Sequence, residues 1–256
     1  LGGVFTIACG LACIALMEEH GFQRRPREER SSPLHEMRAT AVAGGRYARA
    51  APVIMLLVAV SVFAGASSEG FDRLKEAHFL RDVGLPAVGH LSPVVWFGVF
   101  YLVGMINGFI GTTFLIRRFE RDGSETIATA LLGFVVFELA GMVMFGLAWS
   151  AWAAIVALLS VFLARNLINP LYTIWLNEQI TESSVRATVF SISGQADAIG
   201  QAAGGPVIGA IGNIWGIRAA LLAGATALVP AAALFAHATG KHGVEPGLED
   251  LPEPTS

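Results

Sequence analysis

The chain has 256 residues, of which 54% are hydrophobic and only 14% charged, and its mean hydropathy is +0.60. That is too apolar for a soluble domain of this size, so lipid is the expected solvent for most of the chain. A net charge of −3 and a pI near 6.1 give no global basic field and argue against nucleic acid as a partner.

A helix needs about 20 mostly apolar residues to cross the hydrocarbon core. Runs of that kind fall at Leu1–Met17, Ala50–Ser68, Leu91–Ile116, Thr126–Leu147, Ala151–Leu176, Ala187–Gly212 and Gly216–Ala236. They predict an all-α integral membrane protein of about seven transmembrane helices, because a bilayer leaves no backbone group solvated and a membrane barrel would show short alternating segments. The first run, taken as residues 1–17, has no basic stretch before it and so does not read as a signal peptide. It is expected to be a truncated helix of a preceding bundle in a protein that extends upstream. Its Cys9 and Cys13 lie four apart on one helical face, which suits packing and cannot make a zinc site alone.

Residues 18–49 form a long basic loop with arginines at 24, 25, 27, 30, 38, 46 and 49. Positive charge marks the cytoplasmic side. Placing this loop inside puts Arg117, Arg118, Arg121, Arg186 and Lys241 there too, twelve basic residues against the outer side's Arg73, Lys75, Arg81 and Arg218. Residues 50–238 are then a six-helix transmembrane bundle and 239–256 a cytoplasmic tail. The tail's prolines and acidic residues predict disorder. The outer connection Glu69–His90 mixes charges of both signs, including Glu69, Asp72 and Arg73, around Phe71, Leu74 and Phe79. It reads as a solvated amphipathic helical end, with gating of outside access as the functional alternative.

Each ionisable residue within a span costs roughly 2.5–3.5 kcal/mol and persists mainly where it is paired or lines a polar path. Glu138, Arg165 and Asp197 qualify. Counting residues from the turn near Glu182 puts Arg165 and Asp197 within about 3 Å of one depth, which predicts that they meet. The count from the turn near Trp149 leaves a mismatch of about 7.5 Å between Glu138 and Arg165, a less comfortable bridge. Ser193, Gly194, Gly200 and Gln201 give Asp197 a small and polar helical face, while Asn169, Tyr172 and Thr173 continue a stripe from Arg165 beside Pro170. This stripe is expected to touch substrate or coupling ion. Asn107 in the third span joins the candidates. The bland reading is that Arg165 merely neutralises Asp197 or Glu138; the functional one gives Asp197 reversible protonation, tuned as its pair with Arg165 opens and closes.

Glycines at 104, 108 and 111, and at 200, 204, 205, 209 and 212 around Pro206, suit close helix packing, with a hinge at Gly205-Pro206 as the alternative. Catalytic motifs, metal clusters, cofactor fingerprints and a phosphate loop are not found. His20, His35, His78 and His90 fall in loops by this reading, which leaves Ser67 no intramembrane base and argues against a membrane enzyme.

The arrangement resembles the C-terminal half of a major facilitator superfamily transporter preceded by the last helix of its N-terminal half. The resemblance rests on the long basic loop before six spans, on Ser68-Glu69-Gly70-Phe71-Asp72-Arg73, on Asn177-Glu178 through Arg186-Ala187-Thr188, and on Gly205-Pro206-Val207-Ile208-Gly209, which is similar to the glycine-proline element of drug antiporters. The superfamily's short cytoplasmic loop motif is poorly matched at Gly111–Gly123. What the resemblance implies is alternating access driven by an ion gradient, commonly protons. It also implies that the second, third, fifth and sixth spans line the cavity, which favours Arg165 and Asp197 over Glu138. The expected function is proton-coupled transport of a small molecule across the plasma membrane, with efflux as the direction considered and the missing N-terminal half or a second copy as partner. The other reading is a non-transporting assembly or receptor-like membrane module.

Overall fold

The computed structural model describes residues 2–16, 42, 45–46, 49–88, 91–116, 124–181 and 183–242. Most of the basic loop at 18–49, the Arg117–Gly123 connection and the tail beyond 242 lie outside the described residues. The chain divides into two compact units, Leu1–Thr40 and Ala41–Ser256. The first contains α1 (Gly2–Leu16), an apolar helix whose described side chains, Cys9 and Cys13 among them, are exposed.

The second unit is built from α2 (Pro52–His78), α3 (Pro93–Gly111), α4 (Ser124–Leu147), α5 (Ala151–Glu178), α6 (Arg186–Trp215), α7 (Ile217–Thr226) and α8 (Leu228–His242). No strand occurs among the described residues. Local chemistry sets the boundaries. Pro52 and Pro93 open α2 and α3 at the first turn, where a missing N–H costs nothing. Ser150 caps α5 by accepting the Ala153 N–H at 3.3 Å. Gly216, at φ +90°, makes the sharp joint between α6 and α7 that a side chain would strain. Pro230 lacks the N–H that would bond the Thr226 carbonyl, and α7 gives way to α8 at Ala227. Pro170 and Pro206 are instead carried within α5 and α6.

Among the described residues, five segments are long and apolar enough to cross a membrane: Pro52–Val83, Pro93–Phe114, Thr126–Leu147, Ala151–Glu178 and Ile217–His237. The chain is therefore an all-α, multi-pass membrane protein. The sixth predicted span is a helix of 30 residues, but Ser191, Gln195, Asp197, Gln201 and Asn213 dilute its apolarity. The second span differs most from expectation. Its helix continues past Ser68 to His78, and a π-helical turn, Phe79–Val83, carries it further. The charge run at 69–82 thus lies on an amphipathic extension of the helix: Phe71, Lys75, His78 and Phe79 are buried, while Asp72, Arg73, Arg81 and Asp82 are exposed.

Packing separates two apolar clusters along the bundle. One gathers Ile54 and Leu57 of α2, Ile127 and Leu131 of α4, Leu171 and Trp175 of α5, and Phe235 of α8. The other gathers Phe71 and Phe79, Phe100 of α3, Met142 and Phe145 of α4, Leu158 of α5 and Leu221 of α7. Between them lies a polar layer. The helices that cross it are held close by glycine. A Cβ on Gly65 of α2 would strike the Asp197 backbone, one on Gly200 of α6 the Val62 carbonyl, and one on Gly204 would come within 2.7 Å of the Ala66 Cα. The α3–α5 pair repeats this, with Gly104 against Phe162 and Gly108 against Asn166. In both pairs the matched residue numbers rise together, so α2 and α6 run parallel, as do α3 and α5.

Candidate functional site: a polar layer between two apolar clusters

The residue at the centre of α5 is Arg165, and its guanidinium is held from two other helices. Its Nε donates to Glu138 Oε1 of α4 at 2.6 Å, and its Nη1 donates to Asp72 Oδ1 of α2 at 3.0 Å. The guanidinium carbon lies 5.0 Å from the Phe71 ring centroid, a cation–π contact. Lys75 Nζ reaches the same Asp72 Oδ1 at 3.3 Å, and Tyr101 of α3 donates to Glu76 at 2.9 Å, so the network joins α2, α3, α4 and α5. Arg73 pairs one turn back with Glu69 at 2.8 Å at an exposed position.

The expected Arg165–Asp197 contact is not made. Counting residues from a turn gives depth but not azimuth, and α5 and α6 do not lie side by side: α2 packs on α6, while α4 packs on α5. Arg165 therefore turns to Glu138 and Asp72. The 7.5 Å mismatch expected for Glu138 vanishes because the arginine stem spans it. Two secondary candidates, Glu138 and Asp72, are thereby brought directly onto a primary one.

Asp197 faces elsewhere. Its Oδ2 accepts from Gln201 Nε2 at 2.7 Å, one turn along α6, and it has no ion-pair partner among the described residues. It lines a cavity of about 290 Å³ with Asn169 and Tyr172 of α5, Ser61 of α2, Ser193 of α6 and Glu138 of α4, closed by Val60, Val135 and Phe235. On the cavity wall, three hydroxyls from three helices form a triangle: Ser61–Tyr172 at 2.9 Å, Ser61–Ser193 at 2.9 Å and Tyr172–Ser193 at 2.7 Å. The Leu57 carbonyl accepts from this cluster. Each hydroxyl can donate once and accept twice, so the triangle is satisfied within itself and still offers lone pairs.

A second cavity, about 320 Å³, lies further along the same two helices between Glu69, Gly70 and Arg73 of α2 and Gln201, Gly205 and Pro206 of α6. The bonded pair Asp197–Gln201 contributes one residue to each cavity. Between the two, Gly65, Gly200 and Gly204 close the α2–α6 seam. A larger cavity, about 930 Å³, is a mostly apolar space among α3, α4 and α5, and Asn107 lines it, apart from the other candidates. Asn107 also donates to the Leu159 carbonyl at 3.4 Å. Thr173 bonds back to the Asn169 carbonyl of its own helix.

Sequence reasoning missed three groups. Ser61 lay in an apolar run with nothing to single it out. Lys75 was assigned to solvent, but its side chain is 10% exposed. His78 was placed in a loop; it is the last residue of α2 and wholly buried. Phe71, Leu74, His78 and Phe79, spaced as one helical face, were the available signal. His78 does not supply Ser67 with a base, since it lies eleven residues, or about 16 Å, further along the helix. The Ser67 hydroxyl turns instead to Met142 Sδ at 3.5 Å. No group of three or more metal-ligating side chains occurs among the described residues.

Fold and site together define a multi-pass helical membrane protein with a charged and hydroxylic layer at its centre. No family model matches the chain, and no curated protein matches it.

Proposed function

We propose that this chain is the C-terminal half of a proton-coupled secondary transporter of small molecules, resembling that half of the major facilitator superfamily, with Asp197 as the proton-carrying group. The observation that carries this reading is the isolation of Asp197. A carboxyl inside a membrane helix, with only a neutral amide as partner, is costly unless it is protonated or reaches a polar path. Asp197 lines such a space, and its partner Gln201 lines another further along the bundle.

Two features of the helix arrangement support the reading. Exchanging α2 with α5, α3 with α6, and α4 with the α7–α8 pair carries the α2–α6 contact onto α5–α3 and the α4–α5 contact onto α7–α8 with α2. It leaves the contact of α4 with α7 and α8 in place, while the α6–α7 contact has no α3–α4 counterpart of like extent. Since α2 and α5 belong to successive triplets of spans, the exchange is that of an inverted repeat, the plan of many secondary transporters. The second feature is α6, whose outward residues include Ser191, Gln195, Ala198, Ala202 and Asn213. Such a face suits cover by protein or water better than lipid. An N-terminal half or a second copy of this chain is the proposed cover, and alternating access is movement of one against the other. The proposed setting is the plasma membrane, with the basic loop and C-terminus cytoplasmic by the charge count.

The test is gradient-driven flux in proteoliposomes, comparing the full-length protein with Asp197→Asn at matched folded amounts across hydrophobic cations and small metabolites. Loss of gradient-dependent flux in the variant is the expected result; equal flux in both would remove Asp197 from coupling. The non-transporting reading draws on the Asp72–Arg165–Glu138 network, which gives two of the three mid-span charges a structural occupation. It expects substitutions at Arg165 and Asp197 to change stability alone.

A further inference from the structure

His78 lies between two groups that only accept. Its Nδ1 is 2.8 Å from Asp82 Oδ2, one turn along the same helical segment, and its Nε2 is 3.0 Å from the backbone carbonyl of Phe145 near the end of α4. The ring is fully buried and meets the Phe145 ring edge-on, with centroids 4.9 Å apart. A neutral imidazole carries one N–H and one lone pair, so it can satisfy only one of two acceptors, and a peptide carbonyl never donates. Both contacts are hydrogen bonds only if the pair holds one proton beyond neutral histidine and ionised aspartate. That proton sits either on the ring, as imidazolium facing carboxylate, or on Asp82, as carboxylic acid facing neutral imidazole.

We propose that His78 and Asp82 form a proton-binding site that latches α2 to the end of α4, closed while the proton is held and released when it leaves. Without the proton, a nitrogen lone pair faces the Phe145 carbonyl or the Asp82 carboxylate. A buried contact of that kind is unfavourable, and the joint opens. The surroundings suit a latch. The Phe145 carbonyl, near the end of α4, accepts the Ala148 N–H at 3.1 Å and has a second lone pair for the ring, and Arg218 Nη2 of α7 holds the Ala148 carbonyl three residues on at 2.9 Å. The π-helical turn Phe79–Val83 follows His78 directly and ends at Gly84, at φ +83°. The charged groups brought to this end are Lys75, Glu76, Arg81 and Asp82 on the same segment and Arg218 on α7. The facing stretches Pro93–Phe100 of α3, Gly141–Leu147 of α4 and Ala151–Leu158 of α5 carry none. The site is independent of Asp197 and does not rest on the transport reading.

Asp82→Asn separates a proton site from an ordinary structural contact. The asparagine amide can donate to Nδ1 while neutral His78 donates through Nε2 to Phe145, so both hydrogen bonds persist with no extra proton. The experiment uses the full chain in lipid nanodiscs, labelled with 15N histidine, with His78 assigned by the signal lost in His78→Gln. It follows the ring signals and backbone hydrogen exchange at the end of α2 from acidic to alkaline buffer. The wild type should hold the extra proton in the protected state, seen as two ring N–H signals or as an Asp82 carboxylic acid band in the infrared. It should lose that proton and its protection together as pH rises. In Asp82→Asn, protection beyond the intrinsic pH effect should become pH-independent, with one ring N–H. A protected wild type with a singly protonated ring beside an ionised Asp82 would overturn the proposal, as would an Asp82→Asn variant that opens with the same pH dependence as the wild type.

Discussion

Replacing Arg165 by methionine removes the cation and keeps most of the side-chain volume. Its two carboxylate partners are not left alike. Asp72 is 47% exposed and retains Lys75 at 3.3 Å, whereas Glu138 is 8% exposed and loses its only ion-pair partner among the described residues. At the observed 2.6 Å and an effective dielectric near 20, the gross Arg165–Glu138 attraction is on the order of 6 kcal/mol, much of it offset by desolvation. Breaking such a pair from one side costs about 3–5 kcal/mol, chiefly the uncompensated charge. Glu138→Gln should cost less, about 1–2 kcal/mol, since the amide oxygen still accepts from Nε and Arg165 keeps Asp72. The double variant buries neither charge and should be more stable than the sum of its parts by about 2 kcal/mol. Reversible unfolding in mixed micelles over the four proteins of the cycle measures that coupling. A coupling within about 0.5 kcal/mol of zero would refute the claim that the pair is a buried, mutually dependent charge contact.

Other outcomes follow from single contacts. Gly200→Leu should prevent the α2–α6 seam from closing and lower the folded yield in detergent, while Gly194→Ala, where a Cβ meets nothing within 4 Å, should leave that yield unchanged. Tyr172→Phe removes one hydroxyl of the triangle but leaves Ser61 and Ser193 bonded, so unfolding should show a loss of about 1 kcal/mol. Asp197→Asn keeps an oxygen acceptor for Gln201 and should unfold like the wild type, so lost flux in this variant reports on function.

How much of this was legible in the sequence depends on which direction a signal constrains. Apolar run length constrains position along the membrane normal, and the helices α3 to α6 fall where the runs placed them. The packing of the end of α2 was lost because a hydropathy window reads the charges from Glu69 to Asp82 as an exit from lipid, although Asp72 pairs with Arg165 of α5 and Glu76 accepts from Tyr101 of α3. Ion pairing was lost for a different reason. Arg165 and Asp197 match in depth, but partner choice depends on which helices are neighbours, and that is fixed by glycine contacts between residues more than a hundred positions apart, such as Gly65 with Asp197. Asn107 shows the same limit: its polarity was plain, but its cavity is walled by α3, α4 and α5 and holds none of the other candidates.

The two apolar clusters and the layer between them also bear on which charges can change partners. Arg165 is fixed by carboxylates from two helices and by the Phe71 ring, so releasing it means separating α5 from both α2 and α4. Asp197 is fixed only by a residue of its own helix, so its proton can come and go without any helix moving first. A group with that freedom suits a proton carrier, and a group with the opposite constraint suits a strut against which other helices move. If transport is the function, Glu138→Gln with Arg165→Met should therefore alter stability more than coupling stoichiometry, and Asp197→Asn the reverse. Measuring both quantities on both variants separates the roles, and a double variant that folds fully but transports without consuming the gradient would transfer the proton site from Asp197 to the Arg165 network.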